Sequence, residues 1–166
     1  MDPIGKSPIP VFFLILAKAA LLGSSFFFII RIINPGSILY ISPFTTITGI
    51  IIYSAGLFFV TLSIINLGSS ISVGLPREKT ILKTGGLYTI SRNPIYFGAF
   101  MICVGSCLIA IHPLNFLFFT LVVLIHHRII KKEEKFLEGR FGEAWLNYKQ
   151  HVNRYLGRKK LNGHRY

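Results

Sequence analysis

The sequence predicts an all-α integral membrane protein: about four transmembrane helices, a C-terminal helical hairpin and an interfacial amphipathic helix. Three observations predict this. Of the 166 residues, 52% are hydrophobic, too many for a soluble domain of this size. The apolar residues gather at 11–30, 44–67, 95–111 and 114–130, each near the ~20 residues that cross a hydrocarbon core. The basic residues behind a net charge of +12 crowd between and after these stretches.

The first stretch reads as a retained helix. Its apolar region is long, and no small-x-small cleavage site precedes Asn34-Pro35-Gly36. Lys18 lies less than halfway in and can snorkel to the near membrane edge. Asn34 to Ser37 form a turn. The second stretch carries Gly49, Gly56 and Ser63 at heptad spacing, a stripe of small residues that admits a neighbouring helix. Gly98 and Gly105 do the same in the third. Asn93 suits the N-cap of that helix and Pro94 its first turn. Only His112-Pro113 separates the third stretch from the fourth, so the two form a hairpin. Beyond Gly142, Trp145, Tyr148, Val152 and Tyr155 recur at helical steps and predict an amphipathic helix on the membrane surface.

The chain is expected to be one domain in two parts. Residues 1–66 hold the first two membrane helices, and 67–166 hold a connecting loop, the hairpin and a cytoplasmic C-terminal helix. Lys and Arg are absent from 37–43 but dense in 77–92 and after 127. The positive-inside rule then makes the protein multi-pass with both termini and the 67–94 loop cytoplasmic. Arg31 is the one basic residue on the opposite side.

The charge does not point to nucleic acid, because it flanks spans and matches no nucleic-acid motif. The lipid bilayer is the expected partner; the oligomeric state stays open. Cys103 and Cys107 stand four apart without a second ligand pair, so they read as buried thiols and no metal site is expected.

The candidate chemistry lies on both sides of the hairpin. Lys83, Tyr88, Arg92 and Tyr96 bring cations and rings into one short stretch, and Gly85-Gly86 permits close backbone approach. Such a set suits a ligand with an anionic group and a flat ring. The glycines fit neither a P-loop nor a GxGxxG fingerprint. Arg92 sits at the positive end of a helix dipole and needs an anionic partner. Across the hairpin, Glu133 and Glu134 point about 100° apart on one helix. One can face a pocket while the other pairs with Arg128, Lys131 or solvent.

Taken together, Leu82, Gly86, Tyr88, Arg92-Asn93-Pro94, Tyr96 and Gly98, then Glu133-Glu134, Leu137, Phe141-Gly142, Trp145 and Tyr148, resemble the integral-membrane methyltransferases. These include isoprenylcysteine carboxyl methyltransferases and phospholipid N-methyltransferases. The resemblance implies S-adenosyl-L-methionine as methyl donor, held by Thr80, Ile81, Leu82, Lys83, Tyr88, Asn93, Pro94, Ile95, Tyr96 and Glu133. The chemistry of methyl transfer, apart from the resemblance, makes Arg92 and Glu134 the catalytic candidates: Arg92 to meet the cofactor's carboxylate, Glu134 to accept a proton from an amine or thiol acceptor. The resemblance places Arg128 near the substrate, a lipid-like or small apolar methyl acceptor. Asn93 stands where His is usual in the family. A membrane reductase using NADPH is the alternative enzyme, since sterol reductases carry a similar Arg-to-Gly segment. A non-enzymatic membrane scaffold is the third reading.

Overall fold

The computed structural model describes residues 11–40, 42–68 and 81–159. It contains α1 (Val11–Ile33), α2 (Pro43–Leu67), α3 (Pro94–Ile109), α4 (Pro113–Phe141) and α5 (Glu143–His151). Single 3-10 turns occupy Pro35–Ser37 and Gly86–Thr89. Among the described residues there is no strand, only isolated bridges at Tyr40–Ile111 and Val152–Arg158.

Local chemistry sets most helix ends. Proline opens α2, α3 and α4, where its missing N–H costs no helical hydrogen bond. Gly68 and Gly142, at φ 55° and 51°, stop α2 and α4 in the left-handed region that glycine tolerates best. His112 closes the N-terminus of α4 by accepting the Leu114 N–H on its Nδ1.

Ile15–Ile33, Pro43–Leu67 and Pro113–Phe141 are each long and apolar enough to cross a membrane. The third stretch is the shortest of the four. Its helix has 16 residues and a length of roughly 24 Å, less than the ~30 Å of a hydrocarbon core. It is also the most enclosed helix: Ala99, Ile102, Cys103, Cys107 and Ile109 are all buried.

The α2–α3 contact is made by the small residues that the sequence singles out. A Cβ built on Gly49 would lie 2.8 Å from the Gly105 carbonyl oxygen, and one on Gly56 2.8 Å from that of Gly98. The contacts move forward along α2 and backward along α3, so the helices are antiparallel. With no side chain between them, the backbones themselves touch, which supplies dispersion energy that lipid cannot match. Ala17 and Ala20 do similar work on α1, seating it against Ile125, Val122 and Cys103.

Polar groups fasten the opposite end. Ser24 Oγ donates to Asn115 Oδ1 at 2.8 Å, and Asn115 Nδ2 donates to Ser106 Oγ and the Ala110 carbonyl, each at 3.1 Å. Ser106 Oγ returns a bond to the Ser24 carbonyl. Three helices therefore share one closed polar clasp with its groups satisfied. Arg31 donates to the carbonyl of Ile109, the last residue of α3. Its place on the otherwise uncharged side follows from that helix-end contact.

The C-terminal helix departs from the expected membrane-surface helix. It ends at His151, before Tyr155, and its apolar side faces protein. Trp145, Tyr148 and Val152 pack with Tyr88, Leu82, Leu137 and Phe141. The reversal at Gly142 is the cause, because it swings α5 back under the segment that leads into α3.

Gly56→Leu is expected to lower stability by about 1–3 kcal/mol, since neither backbone can recede without separating α2 from α3. Gly139→Ala should be neutral or stabilising by up to about 1 kcal/mol, because nothing lies within 4 Å of the added methyl. Thermal unfolding of both variants in one detergent checks the contrast.

Candidate active site

The segment from Leu82 to Asn93 is held from three directions. Tyr148 on α5 donates its hydroxyl to the Tyr88 carbonyl at 2.6 Å. Gly86, at φ 62°, lies against the Asn66 side chain on α2. The chain after α5 doubles back as a strap: the Arg92 N–H donates to the Asn153 carbonyl at 3.0 Å, and the Gly157 N–H to the Ile90 carbonyl at 2.7 Å.

These supports converge on Glu134. Arg154, from the strap, grips its carboxylate with Nε at 3.1 Å from both oxygens and Nη2 at 2.8 Å from Oε2. Arg92 Nη2 lies 3.3 Å from Oε1, and both of those side chains are buried, at 4% and 7% exposure. Asn93 Nδ2 donates to the same Oε1 at 3.2 Å and to the Arg154 carbonyl at 3.3 Å. Arg92 thus has the anionic partner that its place at a helix N-terminus requires. Asn93 and Pro94 take the expected N-cap and first helical positions, but Asn93 makes no side-chain cap bond; its amide is turned to Glu134.

Arg92 also lies over the Trp145 ring, its Cζ 5.6 Å from the centroid, a cation–π distance. Its Nε and Nη1 are buried without a hydrogen-bond acceptor, as is Trp145 Nε1. Buried donors of this kind are rare and need an explanation. The indole face satisfies the guanidinium partly; an anionic ligand group would complete it.

Glu133 turns to α3 instead, where Tyr96 donates its hydroxyl to both carboxylate oxygens at 2.9 and 3.0 Å. Burial, aided by the charge of Glu133, pushes the Tyr88 phenol up to about 12, so it stays a neutral donor at physiological pH. Burial also pulls Arg92 below its ordinary value, with Glu134 opposing. Hydrogen bonding to Glu134 raises Arg154. Neither glutamate pairs with Arg128 or Lys131, the partners considered from sequence, since both carboxylates face inward.

The remaining candidates divide. Pro94 is fully buried; Leu82, Lys83, Ile95 and Asn93 are half-buried around the same segment. Ile81 is 66% exposed at its edge, and Thr80 lies outside the described residues. Arg128 is exposed on the outer side of α4, away from the constellation. Sequence reasoning missed Arg154, Tyr155 and the two histidines of α4. His126 packs between the rings of Tyr96 and Phe100, with its Nδ1 on the Val122 carbonyl at 2.8 Å. Tyr155 meets His127 Nδ1 at 2.6 Å. No spacing rule links Arg154 to Glu134, because the strap reverses direction only after α5. One surface cavity, of about 410 Å³, lies between Phe27, Ile33 and His112, and another, of about 250 Å³, between Thr89, Tyr148 and Arg158. Neither is lined by Arg92, Glu133 or Tyr96.

Three helices long and apolar enough to cross a membrane, with a buried charged constellation at one end of a hairpin, define an integral-membrane class of protein. The phospholipid methyltransferase family profile matches residues 44–144, and the chain belongs to that family. It is 29% identical over 111 residues to the protein-S-isoprenylcysteine O-methyltransferase of Saccharomyces cerevisiae, a match covering 64% of this chain and 46% of the relative. Its fold is similar to that of the eukaryotic intramembrane Ras methyltransferase ICMT (isoprenylcysteine carboxyl methyltransferase), with a TM-score of 0.63 and 24% identity. That likeness covers 86% of this chain and 53% of the solved one. The chain spans about half the length of the relatives it matches.

Glu134→Ala is expected to cost on the order of 3–5 kcal/mol, because it strands the buried Arg92 charge. Arg154→Ala should cost less, on the order of 1.5–3 kcal/mol, since Arg154 is 31% exposed, water can enter its place, and Arg92 and Asn93 still hold Glu134. Equal midpoints in denaturant unfolding of the two variants would contradict this ranking.

Proposed function

We propose that this protein is a membrane-embedded methyltransferase that uses S-adenosyl-L-methionine to methylate a lipid-like or small apolar acceptor. Family membership supports the reaction class. The observation that carries the reading is the buried Arg92 with two unpartnered N–H donors, beside the Tyr96–Glu133 pair and on the turns where the membrane helices meet the basic side. That donor set fits the cofactor: Arg92, with Lys83, suits a carboxylate, and Glu133 suits an amino group or ribose hydroxyls. Tyr88 and Tyr96 offer rings for a purine, and Ile81, Leu82, Asn93, Pro94 and Ile95 complete the lining.

When bound, the sulfonium cofactor supplies an already activated methyl group. The protein's task is then alignment and exclusion of water. Arg92 and Glu133 fix the two polar ends of the ligand. Tyr96 keeps Glu133 oriented and closes the side toward α1, where it packs with Leu16 and Ala17. Glu134 acts here as a positioning residue, a change from the proton-accepting role inferred from sequence: both its oxygens are already taken by Arg92, Arg154 and Asn93. An isoprenylcysteine carboxylate, as in the names of the relatives, needs no such base; an amine or thiol acceptor would need one elsewhere. Membership of the methyltransferase family disfavours the NADPH reductase reading.

Calorimetry on the detergent-purified protein with S-adenosylhomocysteine and NADPH tests this. The expected result is binding of S-adenosylhomocysteine alone, weakened at least about tenfold by Arg92→Ala or Glu133→Ala through loss of a charge-assisted hydrogen bond. Binding of NADPH alone would make the protein a reductase, and binding of neither a scaffold.

A further inference from the structure

The acidic residues of α4 are all committed to partners: Glu133 to Tyr96, Glu134 to two arginines, and Glu138 to Lys149 at 2.9 Å. Four of its cations are not. Arg128, Lys131, Lys132 and Lys135 are all exposed, and none takes part in a hydrogen bond or ion pair among the described residues. Their spacing places them on one face of the helix. The same face, nearer the start of α4, carries Leu114, Leu117 and Leu124, at 52%, 52% and 54% exposure. One continuous outward face therefore changes from leucine to cation within a single turn, between Leu124 and Arg128.

We propose that this stripe is a binding site for the phosphates of anionic phospholipids in the leaflet it borders. Four like charges within roughly 11 Å of helix repel one another unless an anion lies among them. The exposed leucines fix what meets this face: acyl chains contact the first turns, so headgroups contact the next. Arg128 lies roughly 22 Å along the axis from Pro113, and the lysines extend roughly 10 Å further, which brackets the edge of a ~30 Å hydrocarbon core. Their aliphatic stems can lie along the chains while the charges reach the phosphates. Glu133 and Glu134 occupy the other side of the same turns, so the lipid contact sets the depth of the candidate site at the headgroup level. The exposed leucines and unpaired cations of this face do not depend on the cofactor assignment.

Electron paramagnetic resonance of trace spin-labelled lipids tests it, with the full chain in phosphatidylcholine nanodiscs. The wild type is expected to immobilise spin-labelled phosphatidylglycerol about fivefold more strongly than spin-labelled phosphatidylcholine, an excess suppressed by ~0.5 M salt. The variant Arg128→Gln/Lys131→Gln/Lys132→Gln/Lys135→Gln should bring the ratio near one. Its charge-retaining counterpart, Arg128→Lys with the three lysines changed to Arg, should restore the wild-type ratio. Emission of the buried Trp145, the sole tryptophan, reports whether each variant is folded. If the fourfold variant is not, Lys131→Gln/Lys135→Gln should lose about half of the excess. A wild type without selectivity, or a folded glutamine variant that keeps it, overturns the proposal.

Discussion

One carboxylate holds the functional end of this molecule together. Glu134 is buried in the last third of a membrane helix, and it is stable there only because two guanidiniums and an amide reach it. Isolated burial of such a charge is prohibitive; full satisfaction makes it a joint. Arg92 brings the segment before α3, Asn93 brings the start of α3 itself, and Arg154 brings the strap after α5. Remove the carboxylate and three stretches of chain, distant in sequence, lose their common partner. The supporting contacts are arranged around this joint. Gly142 turns α5 back, Tyr148 ties it to Tyr88, and Trp145 lies beneath Arg92.

The helix that carries Glu134 changes character along its length. Its first turns are fastened by Asn115 to α1 and α3, its middle is an apolar seam with Ala17 and Ala20, and its end presents carboxylates inward and cations outward. The two adjacent glutamates divide the labour because they point in different directions. Glu134 is consumed in structure, whereas Glu133 is held by one tyrosine and keeps the capacity to meet a ligand. Rigid glycine packing of α2 on α3 supplies the platform, so the position of Tyr96 and Pro94 is fixed from below by the α2–α3 contact and from above by Glu134.

Much of this was legible in the sequence for physical reasons. Small residues at heptad spacing have one common use in a membrane helix, and Gly49, Gly56, Gly98 and Gly105 meet as that spacing implies. A cation at a helix N-terminus demands an anion, and Arg92 finds Glu134. What sequence could not give was direction after a break. The apolar stripe of Trp145, Tyr148 and Val152 looks the same whether it faces lipid or protein, and only the reversal at Gly142 decides for protein. The same reversal brings Arg154 to Glu134, a pairing no periodicity encodes. Asn93 illustrates a competition: its amide can cap a helix or bind a buried carboxylate, and the unsatisfied charge is the more expensive of the two. Arg31 breaks the charge rule because a helix C-terminus lies within its reach.

The most direct test of the account is amide hydrogen exchange of the wild type and Glu134→Gln in the same detergent. If Glu134 is the joint, the amides of Arg92 and Gly157, whose partners are the Asn153 and Ile90 carbonyls, should lose protection together in the variant. The α2–α3 glycine contact should keep its protection. Unchanged exchange at both amides, or loss at one without the other, would contradict the central claim that Glu134 binds the loop and the strap into a single unit.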